Sequence, residues 1–181
     1  MLFNSYIFIF LFLPTTLFVF HLLKKKGYNR LTISWLVAAS LFFYGWWNPI
    51  YLVLLVGSIL FNYTFGFLLL NRPHKFFLIL GIVGNLGALG YFKYANFFVD
   101  NINTLFSNNI ILEQIILPLG ISFFTFQQIT YLIDTYLGKA KEHNFLQYCL
   151  FVTFFPQLIS GPIVHHKMMM PQFARGVLKS L

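Results

Sequence analysis

Charged residues are scarce in this sequence of 181 residues, and acidic residues are the scarcest, with only four Asp and Glu. Charged side chains make up 9% of the chain and hydrophobic ones 59%, whereas soluble domains are about a quarter charged. Such a chain lacks the polar side chains that would cover a soluble surface. We therefore predict an all-α polytopic integral membrane protein whose partners include membrane lipids.

Basic residues outnumber acidic ones, with twelve Lys and Arg, yet their distribution does not indicate nucleic-acid binding. They fall in short clusters between apolar runs, whereas a nucleic-acid interface presents one continuous basic face. Clusters of this kind are typical of the loops that set membrane topology. We expect no nucleic-acid partner.

Cysteine is nearly absent, which excludes a disulfide within the chain. The single Cys149 lies in an apolar run, and a free Cys in such a setting behaves as a small buried hydrophobe. We predict a buried structural thiol.

A cleaved signal peptide is not indicated at the N-terminus. Its positive charges would precede the apolar core, but here Lys24, Lys25, Lys26 and Arg30 follow it, and no site of the A-x-A type is present. We expect a retained transmembrane helix with its N-terminus outside.

The apolar stretches suggest that the whole chain, 1–181, is one transmembrane region, since a span needs about 20 mainly apolar residues. The basic loops 24–30 and 71–75 would lie in the cytoplasm by the positive-inside rule. Between 93 and 116 the pattern becomes mixed and predicts a helix on the outer membrane surface or a partly buried one. The candidate spans are 3–23, 31–48, 49–70, 76–92, 117–137 and a re-entrant segment, 145–164.

The last of these stretches carries helix-breaking and polar residues. Pro156, Gly161 and Pro162 interrupt helices, and Gln157 is polar. A full crossing would also place the basic residues after residue 164 outside, against the charge rule. The sequence therefore predicts a broken or re-entrant segment that returns to the cytoplasmic side.

The stretch LPLGISFFTFQQITYLIDTYLG, 117–138, carries an unusual polar load for a membrane segment. At helical spacing Gln127, Tyr131 and Asp134 share one face, with Thr130 at its edge. An Asp exposed to lipid is costly, so Asp134 should face protein, water or the interface. Two interpretations stay open for this stripe, helix packing near the membrane boundary and the lining of a cavity.

Other polar and small residues favour packing roles. Glycines at 81, 84, 87 and 90 would let neighbouring helices approach closely, and mid-span Asn62 and Asn85 should find partners on other helices. The adjacent His165 and His166 are poorly placed to chelate one ion, so we expect no metal site.

Two stretches resemble paired motifs of the membrane-bound O-acyltransferase family, in its bacterial branch for alginate and peptidoglycan O-acetylation: LPLGISFFTFQQITYLIDTYLG, 117–138, and FFPQLISGPIVHHKMMMPQF, 154–173. FFYGWWNPIYLVLLVGSILFNYTFG and YFKYANFF are similar to further elements of that family. The chain would then be an N-terminal part of a multi-helix acyltransferase fold. Its histidines after the GPI segment depart from the family pattern, which usually has Arg or another charged residue there.

The resemblance implies transfer of an acyl group, commonly acetyl, to hydroxyls of an extracytoplasmic polysaccharide. It further implies an acyl donor, which is either acetyl-CoA or an acyl carrier. It also implies a periplasmic or surface partner enzyme and a location in the bacterial inner membrane. The catalytic histidine of the family lies further along than this sequence reaches, so we assign no catalytic residue and expect the chain alone to be inactive.

As walls of an acyl-transfer tunnel, or as packing residues, the candidates are Gln127, Thr130, Tyr131, Asp134, Pro156, Gln157, Gly161 and Pro162. A non-catalytic membrane scaffold or transporter subunit is the alternative, because polar stripes and broken helices also build transport sites.

Overall fold

The computed structural model of the chain describes residues 4–106, 115–140 and 144–160, and these residues form helices without any strand. A π-helical turn, Phe8–Phe12, leads directly into the first α-helix. The helices are α1 Leu13–Lys25, α2 Asn29–Trp47, α3 Pro49–Asn71, α4 Lys75–Phe106, α5 Ile121–Tyr136, α6 Phe145–Thr153 and α7 Phe155–Ser160.

Within the described ranges, three helical stretches are long and apolar enough to cross a bilayer: Phe8–Lys25, Pro49–Asn71 and Lys75–Phe106. Their outward faces carry exposed apolar side chains such as Ile50 and Val53, whereas Asn62 and Gln128 are fully buried. Apolar residues outside and amides inside suit a lipid surrounding, where each polar group needs a protein partner. The protein is an all-α polytopic membrane protein, as its composition predicts.

Helix α4 is longer than the candidate span 76–92 within it. Residues 93–106 continue the same helix, so the mixed pattern after Lys93 does not begin a separate element. No proline interrupts the backbone ladder between Lys75 and Phe106. Its 32 residues correspond to about 48 Å, more than the hydrocarbon core of about 30 Å.

Helix α5 begins at Ile121, four residues later than the candidate span 117–137. Pro118 precedes it, and Gly120 takes a left-handed conformation with φ of 68° at its N-cap. The Tyr44 hydroxyl donates a hydrogen bond to the Leu119 carbonyl at 3.0 Å, and Asn96 donates to the Ile115 carbonyl at 3.0 Å. These bonds tie the entry of α5 to α2 and α4.

The stretch 145–164 contains a helix break, located at Phe154 between α6 and α7. Pro156 lacks an N–H, and its ring would clash with the carbonyl four residues earlier if the helix continued. The backbone amide of Phe155 instead donates a hydrogen bond to Ser40 Oγ at 3.4 Å. The Phe155 ring packs against the rings of Phe8 and Phe12. The expected return to the cytoplasmic side concerns residues outside the described ranges.

Candidate functional site: two buried polar groups on helix α5

Gln127 lies in the core between α5 and α6. Its Nε2 donates a hydrogen bond to the Phe151 carbonyl at 2.8 Å, and its side chain is 1% exposed. Its Oε1 is enclosed and has no donor among the residues that the structure describes. The Nε2 end of this amide therefore joins α5 to α6, while the Oε1 end places a hydrogen-bond acceptor in the interior.

Tyr131 occupies the same face one turn further along α5. It is fully buried, and its ring packs against that of Tyr148 in α6, with the ring centroids 4.5 Å apart and the planes tilted by 39°. Gly66 of α3 faces this ring so closely that a Cβ there would lie 2.6 Å from Tyr131 Cε1. The Tyr131 ring thus fills the junction of α3, α5 and α6.

The remaining predicted site residues are arranged differently. Asp134 is buried, and its backbone carbonyl accepts hydrogen bonds from the Lys139 and Ala140 amides, which close the end of α5. Thr130 is only half-buried and donates within its own helix, to the Phe126 carbonyl at 2.9 Å.

Of the candidates at the helix break, Pro156 is exposed and Gln157 is buried. Gly161 and Pro162 lie outside the described residues, as do His165 and His166. Gln127, Tyr131, Asp134 and Gln157 are therefore the buried members of the predicted set.

A second polar group, which the sequence pattern on α5 missed, lies on the adjacent face of the helix. Asn62 and Asn85 exchange a reciprocal pair of amide hydrogen bonds between α3 and α4, at 3.0 and 2.6 Å. Gln128 Oε1 accepts hydrogen bonds from Asn62 Nδ2 and, at 2.9 Å, from Ser58 Oγ. We call Ser58, Asn62, Asn85 and Gln128 the amide cluster.

The amide cluster lies near the middle of its helices. Asn62 and Asn85 are each about 15 Å along the axis from the end of the helix that carries Arg72 and Lys75. Asn62 in α3, Asn85 in α4 and Gln128 in α5 are amides that lie away from the ends of their helices, and that was the signal in the sequence. Periodicity within one helix cannot show which amides on different helices meet.

A cavity of about 270 Å³ adjoins the amide cluster between α3, α4 and α5. Its polar lining comes from Ser58, Asn85 and Thr125, and Gly57, Gly84 and Ala88 form an exposed edge. The complete lining is Leu54, Gly57, Ser58, Phe61, Gly84, Asn85, Ala88, Ile121, Phe124 and Thr125.

The chemistry of both groups is that of neutral hydrogen bonding. Amides and hydroxyls can position a polar ligand or stabilise a developing negative charge, but they are not bases near neutral pH. Within 4–106, 115–140 and 144–160, no three His, Cys, Asp or Glu side chains are grouped to hold a metal ion. Cys149 is a buried free thiol, as its apolar setting predicts.

Comparison with known proteins gives relatives across nearly the whole chain. A peptidoglycan O-acetyltransferase of Helicobacter pylori is 45% identical, over 96% of this chain and 38% of that protein. A probable alginate O-acetylase AlgI of Pseudomonas aeruginosa is 41% identical, over 96% of this chain and 34% of that protein. The corresponding protein of Azotobacter vinelandii is 37% identical, over 96% and 36%.

The chain spans about a third of the length of these curated relatives. No protein-family model matches it, and no solved structure matches it significantly. Identities of 33–45% over the chain confirm the resemblance first indicated by the motifs at 117–138 and 154–173. The chain is a homologue of one portion of the bacterial peptidoglycan O-acetyltransferase and alginate O-acetylase proteins.

Proposed function

We propose that this chain forms one part of a membrane-bound O-acetyltransferase that modifies hydroxyls of a cell-envelope polysaccharide. The observation that carries the proposal is 45% identity over 96% of the chain to a peptidoglycan O-acetyltransferase. The acceptor is accordingly peptidoglycan or an alginate-like polymer. The acetyl donor is acetyl-CoA or an acyl carrier on the cytoplasmic side, and a periplasmic or surface enzyme is the expected partner.

The charge distribution supports an orientation in the bacterial inner membrane. Three basic turns lie at the same end of the antiparallel helices. They are the α1–α2 turn with Lys24–Lys26 and Arg30, the α3–α4 turn with Arg72 and Lys75, and the turn after α5 with Lys139. Basic loops are retained in the cytoplasm. We place this end inside and the N-terminus and the Trp47–Pro49 turn outside, so that the chain crosses several times.

In this proposal the buried polar groups help to form the path between the two sides. Gln127 and Tyr131 near α6, and the amide cluster near α3 and α4, supply neutral dipoles in a region from which water is excluded. Such preorganised donors favour a developing oxyanion and require no charged side chain in the membrane. The general base for the acceptor hydroxyl belongs, in this scheme, to a portion of the relatives that the chain does not span.

The test is a chimera in which this chain replaces the matching portion of the H. pylori peptidoglycan O-acetyltransferase. The measured quantity is acetate released by mild base from purified peptidoglycan of cells lacking the native enzyme. We expect the chimera to restore esterified acetate and this chain alone to leave it at background. A folded, membrane-inserted chimera that restores none would contradict the proposal.

A matched pair of substitutions separates packing from participation in transfer. Gln127→Leu removes both the Nε2 donor to Phe151 and the enclosed Oε1, whereas Gln127→Glu replaces only that donor and keeps the shape and the Oε1 acceptor. A path residue lowers acetate release in the Leu variant without lowering the amount of protein in the membrane. Parallel loss of protein and product in both variants would assign Gln127 to packing alone.

A further inference from the structure

The cavity between α3, α4 and α5 contains a hydroxyl group that the described packing leaves without a partner. Thr125 lines this cavity, and its side chain is 3% exposed. Its hydroxyl makes no hydrogen bond to any residue in the described ranges, and it is not among their fully enclosed polar atoms. The hydroxyl is therefore reached through the cavity that the residue lines.

Six other threonines show how a helical hydroxyl is usually satisfied in this protein. Each donates a hydrogen bond to the backbone carbonyl four residues earlier, which leaves no unpaired hydroxyl against lipid or core. They are Thr32, Thr64, Thr104, Thr130, Thr135 and Thr153. The equivalent acceptor for Thr125 is the Ile121 carbonyl, but Thr125 does not make this bond and keeps its donor for the cavity.

The polar lining combines this uncommitted donor with acceptors. Ser58 Oγ gives its hydrogen to Gln128 Oε1, and both hydrogens of Asn85 Nδ2 are used within the protein. The Ser58 and Asn85 oxygens can still accept a hydrogen bond, because each has two lone pairs. Thr125 lies one turn of α5 from Gln128, so its hydroxyl and that of Ser58 border the same part of the cavity. A ligand hydroxyl is complementary to this set, since it can accept from Thr125 and donate to Ser58 or Asn85.

The other walls of the cavity select the rest of the ligand. They include apolar side chains such as Phe124, and no charged residue is among the lining residues of this cavity of about 270 Å³. Its exposed edge at Gly57, Gly84 and Ala88 opens on the outer surface of the helices. Water filling the opening would have hydrogen bonds unmade against lipid, and a hydrocarbon tail would give Thr125 no acceptor.

We propose that this cavity, which we call the Thr125 cavity, binds a neutral amphipathic alcohol that enters from the bilayer. The hydroxyl of the ligand accepts from Thr125 at the inner end, and its apolar chain leaves through the opening beside Gly57. The class of natural ligand is a lipid whose apolar chain carries a hydroxyl group. The inference concerns ligand binding and does not require acetyl transfer, so its failure would leave the proposed function untouched.

The test is photolabelling of the chain in bilayer nanodiscs with a diazirine-bearing octanol. After irradiation, proteolysis and mass spectrometry, we expect adducts on residues that line the Thr125 cavity. Excess 1-octanol should prevent them, whereas excess octane should not. Equal competition by octane would overturn the proposal and assign the cavity to hydrocarbon. An unlabelled cavity would also overturn it and leave the Thr125 hydroxyl to water.

Substitutions at Thr125 measure what its hydroxyl contributes. Thr125→Val removes the hydroxyl at similar size, whereas Thr125→Ser keeps it. We expect valine to weaken competition by 1-octanol about two- to twelvefold, which corresponds to one net hydrogen bond of about 0.5–1.5 kcal/mol, and serine to retain it. Thr64→Val is the matched control, because the Thr64 hydroxyl bonds to the Leu60 carbonyl on an exposed part of α3. Unchanged competition in a folded Thr125→Val chain would contradict the assignment.

Discussion

Single side chains in this protein contribute to stability through hydrogen bonds and close packing rather than through burial of apolar surface from water. Lipid is as apolar as the core, so apolar contacts between helices carry no hydrophobic gain. Asn62 and Asn85 illustrate the consequence, because each satisfies hydrogen bonds of the other in the buried interior. Removing one leaves a buried amide without its partner.

A double-mutant cycle on Asn62→Leu and Asn85→Leu measures this pair. We expect each single variant to lower the free energy of unfolding, with a coupling of about 0.6 kcal/mol and at most about 1.7 kcal/mol. Unfolding in mixed micelles followed by circular dichroism gives the four values. Strict additivity would show that the reciprocal hydrogen bonds contribute no coupling.

Gly66 is the residue at which packing most clearly restricts side-chain size. We expect Gly66→Ala to lower the free energy of unfolding by about 1–3 kcal/mol, because the new methyl group overlaps the Tyr131 ring in a filled junction. Gly87→Ala is the control, since its Cβ would meet nothing within 4 Å of the described residues. This variant should gain up to about 1 kcal/mol from helix propensity. Equal effects in the same unfolding assay would contradict the Tyr131 contact.

At the scale of elements, helix ends are defined by capping and by proline. Asn48 accepts a hydrogen bond from the Ile50 amide at the start of α3, with Pro49 at the first position. Asn144 accepts from the Leu146 and Gln147 amides at the start of α6. Because α6 has only nine residues, its first turn is a large part of the helix, and its cap should matter more than in α3.

Replacing the α6 cap tests this point. Asn144→Ala should cost about 1 kcal/mol of stability, whereas Asn144→Ser, which keeps an acceptor at the cap, should cost less. Amide hydrogen exchange across residues 145–153 locates the effect, with faster exchange confined to the first turn of α6. Unchanged exchange there would show that packing alone holds the helix start.

In the proposed topology, charge sets the orientation of the protein, whereas packing between helices sets its interior. The helices place their basic turns at one end and the Trp47–Pro49 turn at the other. An excess of Lys and Arg is typical of cytoplasmic loops, and the proposed topology therefore puts this end inside. The two ends should therefore differ in their access to reagents that cannot cross the membrane.

Cysteine labelling tests this orientation. With an impermeant maleimide on intact spheroplasts, Pro49→Cys in the exposed turn at the start of α3 should be labelled, whereas Lys26→Cys and Arg72→Cys should react only after permeabilisation. Cys149 is buried, so the unsubstituted chain is the background control. The opposite pattern would invert the proposed topology.

Much of this protein is determined by its sequence without reference to contacts between helices. Scarce charge requires a membrane setting, lipid requires helices, and Pro156 prevents α6 from continuing. The motif around Gln127 also indicated the kind of protein that the comparison with known proteins then found as relatives. These features depend on composition, on neighbours in the chain or on a short pattern. All three are visible in the order of residues along the chain.

Which polar groups meet depends on how the helices pack against one another. Gln127 and Gln128 are adjacent in the chain, yet the first bonds to α6 and the second to α3, because successive residues on a helix project about 100° apart. The pairing of Asn62 with Asn85 and the contact of Gly66 with Tyr131 likewise depend on the register between helices. That register follows from close packing of whole helix faces, which no single segment specifies.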